Sequence, residues 1–326
     1  MNNLVYNEMV KLLGKKRLLA VLLMIAILIP LFTYAQFKTA QTIEEKLGTT
    51  DWRASLQQQI IDAQNRLSSS RLSDEWREAL QIRLAQQQYY LEHNINPSTP
   101  GAPTFIRLFL ENSISLMLPL FVMVVTVDLI SSEYSGGTIK LLLTRPVQRW
   151  KVLLSKVFVM ILSISLILLA IVCLAYVISG LVFGYGGWNM PLLTGFVAEG
   201  ADLNTSQVHL IPQWRYILMV LGLAWFVCLV VGSLSFMLSV LVKSAATGMG
   251  IMLAALISGV ILRNMVSSWE SAKYLFMVNL ELTGYLSGSP PPIQGMTLGF
   301  SLSVLAAWGT LATFVSFWVF TQRDVY

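Results

Sequence analysis

Six long apolar runs dominate this sequence and exclude most soluble folds. They occupy residues 18–36, 105–130, 153–183, 216–242, 247–266 and 298–320. Each run is long enough to cross a hydrocarbon layer about 30 Å thick as a helix. Lipid offers no hydrogen-bond partners, so a crossing segment must pair its own backbone groups, as a helix does. The sequence therefore predicts an all-α polytopic membrane protein with six transmembrane helices.

The charge content and the scarcity of metal ligands narrow the functional classes. Only 12% of the 326 residues are charged, whereas soluble domains usually have about 25%. The net charge is +5, but Lys and Arg cluster at the ends of apolar runs, which indicates orientation in a bilayer rather than nucleic-acid binding. With two His and two Cys in the chain, and both Cys inside apolar runs, we expect no metal site, no disulfide framework and no bound cofactor.

The N-terminal residues 1–17 combine apolar positions near helical spacing with cations such as Lys11 and Arg17. This pattern predicts an amphipathic segment on the cytoplasmic leaflet, with its cations near anionic lipid head groups. A short ordered N-terminus without membrane contact is the alternative. The apolar run at 18–36 exceeds the roughly 7–15 residues of a signal-peptide core, so we expect it to remain as the first transmembrane helix.

Residues 37–104 form the sizeable polar region of the chain. Apolar residues recur every three to four positions over Asp51–Leu67 and Ser73–Leu91, which predicts two antiparallel helices. The prolines between residues 97 and 103 predict a stiff return to the membrane. We therefore expect an extracytoplasmic helical hairpin at 37–104, in which no catalytic constellation is visible.

Lys and Arg in the short loops determine the expected orientation. With the N-terminus inside, the inner loops and flanks carry most of these residues, whereas the outer short ones carry Arg215, Arg263 and Lys273. The inner set is Lys11, Lys15, Lys16, Arg17, Lys140, Arg145, Arg149, Lys151, Lys156, Lys243 and Arg323. Both termini are therefore predicted to be cytoplasmic, and residues 105–326 are predicted to form helices two to six.

The loop at 131–152 joins the second and third runs and lies on the predicted cytoplasmic side. Gly136 and Gly137 favour the end of the incoming helix, because glycine stabilises helices poorly. Thr138–Thr144 then contains one isoleucine and three leucines, which predicts a short amphipathic helix. Pro146 disfavours helical geometry at the residue before it and suits the first turn of the next helix. We therefore expect a docking helix held between two breaks.

Three ionisable residues lie inside the runs or at their edges, where burial costs free energy. Glu111, Asp128 and Arg263 are candidates for a polar translocation path, with Glu111 near Arg263. The alternative is that they reach the interface and contact water. Pro119, between the two acids, predicts a kink in the second helix.

No phosphate-binding loop, HExxH or GxSxG motif is present, so we expect neither ATP hydrolysis nor another enzymatic activity from this chain.

The stretch from Glu133 to Arg149, EYSGGTIKLLLTRPVQR, is followed by Lys156. Its acidic residue, Gly-Thr pair, leucine run, Pro and Arg after the second span resemble the permease subunits of the type-2 ATP-binding-cassette (ABC) exporter family. The resemblance implies a coupling helix at Gly137–Thr144 that enters a groove on a separate ATPase. The positions that would contact the ATPase are Glu133, Gly137, Thr138, Lys140, Leu141, Leu142, Leu143, Arg145, Pro146 and Arg149.

The same resemblance implies the assembly and the activity. Two copies of an ABC ATPase would bind ATP and Mg²⁺, and a second permease subunit, identical or related, would complete the complex among membrane lipids. The expected function is export of an amphipathic or hydrophobic substrate, such as an antibiotic, a peptide or a lipid, across the bacterial cytoplasmic membrane.

Two other functions remain open from the sequence. One is a non-transport membrane sensor whose outer hairpin binds a ligand. The other is a membrane-embedded processing enzyme with Glu111 and Asp128 as catalytic groups. An ATPase encoded beside this chain favours transport, whereas a kinase favours the sensor.

Overall fold

A computed structural model describes residues 2–14, 16–47, 51–68, 74–97, 99–138, 148–199, 202–242, 244–265 and 269–322. Most of these residues are helical. The α-helices are α1 Asn2–Gly14, α2 Lys16–Leu47, α3 Trp52–Leu67, α4 Asp74–Glu92, α5 Ala102–Ser113, α6 Met117–Thr126, α7 Asp128–Ser135, α8 Arg149–Phe183, α9 Gln213–Val242, α10 Ala245–Met265, α11 Thr283–Ser287 and α12 Leu298–Gln322. Two 3₁₀ helices, Glu270–Tyr274 and Phe276–Asn279, precede α11.

Six helical segments of the described chain are long and apolar enough to cross a membrane. They are Lys16–Thr42, Met117–Ser135, Arg149–Phe183, Gln213–Val242, Ala245–Arg263 and Leu298–Gln322, which we number spans 1 to 6. This arrangement confirms a largely helical, multi-pass membrane protein.

The second span differs from its prediction as one continuous helix over 105–130. The structure divides it into α5, a turn at residues 114–116, then α6 and α7. Pro119 has no N–H to donate to the Ser115 carbonyl, and Leu116 departs from helical geometry at φ −133° and ψ −56°. The helix is therefore fully interrupted just before this proline, whereas the sequence predicted only a kink.

Span 4, formed by α9, lies at the centre of the bundle. It packs against α5, α6, α7, α8, α10 and α12. The Ser239 hydroxyl of α9 accepts hydrogen bonds from the backbone N–H groups of Ile130 and Ser131, at 3.1 Å and 2.9 Å. These two donors belong to the first turn of α7, where a helix lacks internal acceptors. Span 4 therefore supplies the cap that the break before α7 requires.

Helices α3 and α4 pack against each other in the region predicted to form a hairpin. Arg53 Nε donates to Asn94 Oδ1 at 2.9 Å, and Gln87 Nε2 donates to Gln59 Oε1 at 3.0 Å. One bond joins the start of α3 to the end of α4, so the two helices run antiparallel. The Asp51 carboxylate caps α3 by accepting from the Arg53 N–H.

Short strands between spans 3 and 4 add to the expected helical architecture. β1 (Pro191–Thr194) pairs antiparallel with β4 (His209–Pro212), and β2 (Val197–Glu199) pairs with β3 (Asp202–Asn204). No alternating pattern in the sequence had indicated them.

The β1–β4 segment meets α4 and the end of α11 at a contact that we call the junction, formed by Gln86, Phe196 and Gly288. Gln86 Nε2 donates to the carbonyls of Ser287 and Gly288 at 3.0 Å and 3.1 Å. A Cβ atom on Gly288 would lie 2.3 Å from Phe196 Cβ. The three segments therefore meet too closely for any residue larger than glycine at this position.

Candidate functional site

Four ionised side chains, Glu8, Lys11, Glu133 and Lys156, form a charged cluster where α1, α7 and α8 meet. Lys156 Nζ lies 2.5 Å from Glu8 Oε2 and 3.5 Å from Glu133 Oε1. The Lys156 side chain is 1% exposed, and Nζ also donates to the Leu129 carbonyl at 2.9 Å. A buried ammonium costs several kcal/mol unless it is paired, so these contacts are required for its presence there.

Lys11 completes the charged cluster from its exposed side. Its Nζ lies 3.0 Å from Glu8 Oε1 and 3.1 Å from Glu133 Oε1. Burial by itself would lower the pKa of Lys11, but the carboxylates of Glu8 and Glu133 outweigh it and raise this pKa above its ordinary value. Two cations thus face two carboxylates, and the cluster is balanced in formal charge.

The amphipathic character of α1 brings Glu8 into this position. Leu12, one turn further, belongs to the hydrophobic core, and Val5 and Met9 pack against it. Glu8 lies on this same buried face and is 8% exposed. A carboxylate on the apolar face of a helix requires a partner, and Lys156 of span 3 provides one.

A second ion pair joins the N-terminal region to span 2. Arg17 Nη1, at the start of span 1, lies 3.1 Å from Asp128 Oδ1 in the first turn of α7. The Asp128 side chain is 8% exposed. Together with the charged cluster, this pair connects both ends of α7 to the N-terminal segment.

Of the described coupling residues, Glu133 belongs to the charged cluster and Thr138 contacts it. The Thr138 hydroxyl donates to the Glu133 carboxylate, and Gly137 adopts a left-handed φ of 67° just after the end of α7. On the other side of the loop, Arg149 Nη1 donates to the Thr321 carbonyl of span 6 at 3.3 Å. The remaining predicted positions, Lys140, Leu141, Leu142, Leu143, Arg145 and Pro146, lie outside the described residues, as does most of the predicted helix Thr138–Thr144.

The three candidates for a translocation path lie in three different ion pairs. Arg107 Nη1 lies 3.7 Å from Glu111 Oε2, one turn away on α5, and Arg263 pairs with Glu281. The ion pairs of the described chain thus join neither Glu111 to Arg263 nor either of them to Asp128. Glu111 and Arg263, which we expected to lie near each other, thus have ion-pair partners in Arg107 and Glu281 instead.

The Arg263–Glu281 pair borders a cavity of about 240 Å³, which we call the span 5 cavity. Ser115, from the turn between α5 and α6, lines it together with Val260 of α10. Of the three candidates, Arg263 is the one found on its wall.

Sequence reasoning missed Glu8, Glu281 and the partner role of Lys156. Glu8 had a detectable signal, because it falls on the apolar stripe of the predicted amphipathic segment. Glu281 had none, because it lies between short 3₁₀ and α-helical turns whose folding depends on tertiary contacts.

No group of three or more His, Cys, Asp or Glu in the described ranges is placed to hold a metal ion.

The sequence profile of a family described as "Protein of unknown function (DUF2705)" matches residues 79–326. The chain is 26% identical over 330 residues to a Bacillus subtilis (strain 168) protein named "Uncharacterized protein YhcI", covering 100% of this chain and 99% of that protein. It is 27% identical over 215 residues to "Uncharacterized membrane protein YdbK" of the same organism, covering 65% of this chain and 80% of that protein. The second name agrees with the six apolar helices.

Proposed function

This chain belongs to the DUF2705 family, and we propose that it is the transmembrane permease subunit of an ATP-driven ABC exporter. A separate ATPase subunit hydrolyses ATP, and the loop between spans 2 and 3 receives the resulting motion. The observation that supports this proposal best is the charged cluster at the base of that loop.

The charged cluster makes the two ends of the loop move together. Glu133 lies in the last turn of α7, before the loop. Lys156 lies about two turns into α8, the helix that follows the loop. Their ion pair is closed by Glu8 of α1 at 2.5 Å. Because ion pairs in a low-dielectric site are strong and costly to separate, the described ends of the loop and α1 are held together as one unit, which we call the lever.

The lever is connected to more than the helices that flank it. Arg149 reaches the end of span 6, and Arg17 ties the start of span 1 to Asp128. A force applied to the loop therefore reaches spans 1, 2, 3 and 6. Positive-inside anchoring alone requires cations near the membrane, but it requires neither buried carboxylate partners nor the glycine and proline breaks.

The remaining features of the proposal follow the resemblance. The loop and both termini face the cytoplasm, α3 and α4 form the extracytoplasmic hairpin, and a second permease subunit and two ATPase copies complete the complex. The substrate is an amphipathic or hydrophobic molecule that leaves the cytoplasmic membrane. The leucines at positions 141–143 would supply the apolar contact with the ATPase.

Two substitutions separate docking from transmission. We expect Leu142→Asp to abolish co-purification with the ATPase encoded beside this chain, because a carboxylate enters an apolar contact. Lys156→Gln should preserve co-purification but lower stimulation of the ATPase by about tenfold, because the loop no longer moves with α1 and α7. Both are measured on the co-expressed complex in lipid nanodiscs.

Lys151→Gln is the control for Lys156→Gln, because Lys151 is five residues earlier on α8, half-buried and outside the charged cluster. It should retain parental stimulation. Equal stimulation by the Lys151 and Lys156 variants would contradict transmission through the cluster. Retained association of the Leu142→Asp variant would contradict docking through the loop.

A further inference from the structure

The span 5 cavity has walls of mixed chemistry. Apolar side chains of Val260, Met277 and Leu280 form part of its lining, and the Arg263–Glu281 pair forms its charged part. The Arg263 and Glu281 side chains are 22% and 35% exposed, so both can be reached by a ligand. The cavity therefore offers one cation, one anion and an apolar wall.

Asn279 adds an unused acceptor close to this pair. It lines a smaller recess that Arg263 and Glu281 also line. The residue is 2% exposed, and its Nδ2 donates to the carbonyls of Lys273 and Leu275, both at 2.8 Å. Its Oδ1 has no hydrogen-bond partner among the described residues. A buried acceptor without a partner costs about 1–3 kcal/mol, which a donor from a ligand would recover.

The break between α5 and span 2 lies on the same cavity through Ser115. Irregular backbone within the hydrocarbon region is tolerated where it lines a cavity or is buried in protein. Interrupted membrane helices in transporters commonly mark a substrate site for this reason. The interruption and the charged pair are independent observations at this cavity, and the unused acceptor lies in the adjoining recess.

One side of the cavity faces the outer surface of the bundle. Val260 is 36% exposed and its neighbour Ile261 is 51% exposed on α10. A hydrocarbon chain can therefore lie along α10 while a polar head group occupies the cavity. Such an arrangement suits an amphiphile that arrives laterally from the membrane.

We propose that the span 5 cavity binds the head group of a zwitterionic phospholipid. The Arg263 guanidinium takes the phosphate, and the Glu281 carboxylate takes the ammonium. A purely anionic head group would meet Glu281 with like charge, so the cavity favours a ligand with both charges. This inference names a substrate class within the proposed exporter, but the binding itself needs no ATPase.

The test measures binding of phosphatidylethanolamine and phosphatidylglycerol with identical acyl chains to the purified full chain in detergent, without ATPase, by native mass spectrometry. We expect the parent to prefer the zwitterionic lipid by about tenfold, the value of one charge-assisted hydrogen bond. Val260→Trp should weaken phosphatidylethanolamine binding by about tenfold, because the indole fills the cavity. Leu169→Trp, at an exposed apolar position of span 3 outside the cavity lining, should bind like the parent.

A charge exchange distinguishes a binding role from a purely structural one. Arg263→Glu combined with Glu281→Arg retains an ion pair but reverses its polarity, so we expect the lipid preference to be lost while the melting temperature stays near the parental value. Equal binding of both lipids by the parent, parental binding by Val260→Trp, or parental preference in the exchanged variant would overturn the inference. Selective lipid binding without ATPase coupling would contradict only the proposed function, and intact coupling without lipid selectivity would contradict only this inference.

Discussion

At the residue scale, polar groups inside this bundle differ in the ionic and hydrogen-bond partners that they reach. Lys156 is 1% exposed and contacts two carboxylates and a carbonyl. Two serines of α9, one turn apart, differ in the same respect. Ser239 accepts two backbone hydrogen bonds from α7, whereas the fully buried Ser235 hydroxyl has no hydrogen-bond partner within the described chain.

These two serines give a paired prediction about stability. Ser239→Ala should lower the free energy of unfolding by about 1–3 kcal/mol, because two buried N–H groups of α7 lose their acceptor. Ser235→Ala should change it by less than about 0.5 kcal/mol or raise it, because an unpaired hydroxyl is removed. Unfolding of the purified chain in mixed detergent micelles measures both values. Equal losses in the two variants would show that Ser239 does not act as the cap of α7.

At the element scale, short segments are held in place by contacts distant in sequence. The return from α4 to α5 is fixed by the Ala102 N–H, which donates to the Gly184 carbonyl at 2.9 Å. The junction likewise joins α4 to segments more than 100 residues further along the chain. The α3–α4 hairpin is therefore docked onto the rest of the protein through few, closely fitted groups.

Gly288 and Gly295 allow this docking to be tested with the backbone cost held constant. Both have left-handed φ angles, 71° and 81°, but a Cβ at Gly295 would meet nothing within 4 Å. Either alanine substitution costs about 1–2 kcal/mol for the left-handed conformation. Gly288→Ala should in addition separate Phe196 from α4 and make the hairpin cleavable by protease at least several-fold faster. Equal cleavage rates in the two variants would contradict the close fit at the junction.

At the scale of the whole molecule, the spans divide into a buried centre and an exposed periphery. Span 2 is largely buried and span 4 is half-buried, whereas most of spans 5 and 6 faces outward. Outward apolar faces suit lipid, and they also leave room for the second permease subunit that we propose. The charged cluster and the span 5 cavity lie at different parts of this bundle, one at the start of span 3 and one at the end of span 5.

The proposed orientation predicts the result of cysteine labelling in intact cells. In a background with Cys173→Ser and Cys228→Ala, a cysteine at Arg66 of α3 should react with a membrane-impermeant maleimide. A cysteine at Arg149 should react only after the cells are permeabilised, because the proposal places the loop before α8 on the cytoplasmic side. Reaction at Arg149 in intact cells would contradict the orientation and, with it, coupling to a cytoplasmic ATPase.

The sequence by itself determined the membrane class and the approximate positions of the spans, because about twenty consecutive apolar residues have few alternatives to a helix in lipid. It also indicated the helices of α3 and α4 and the break after Ser135, since helical periodicity and glycine act locally. Only the tertiary structure decided which charges meet. Glu8 and Lys156 pair although they are 148 positions apart, and Arg263 pairs with Glu281 rather than with Glu111. Ion pairing depends on distances in the folded chain, which no local sequence pattern encodes.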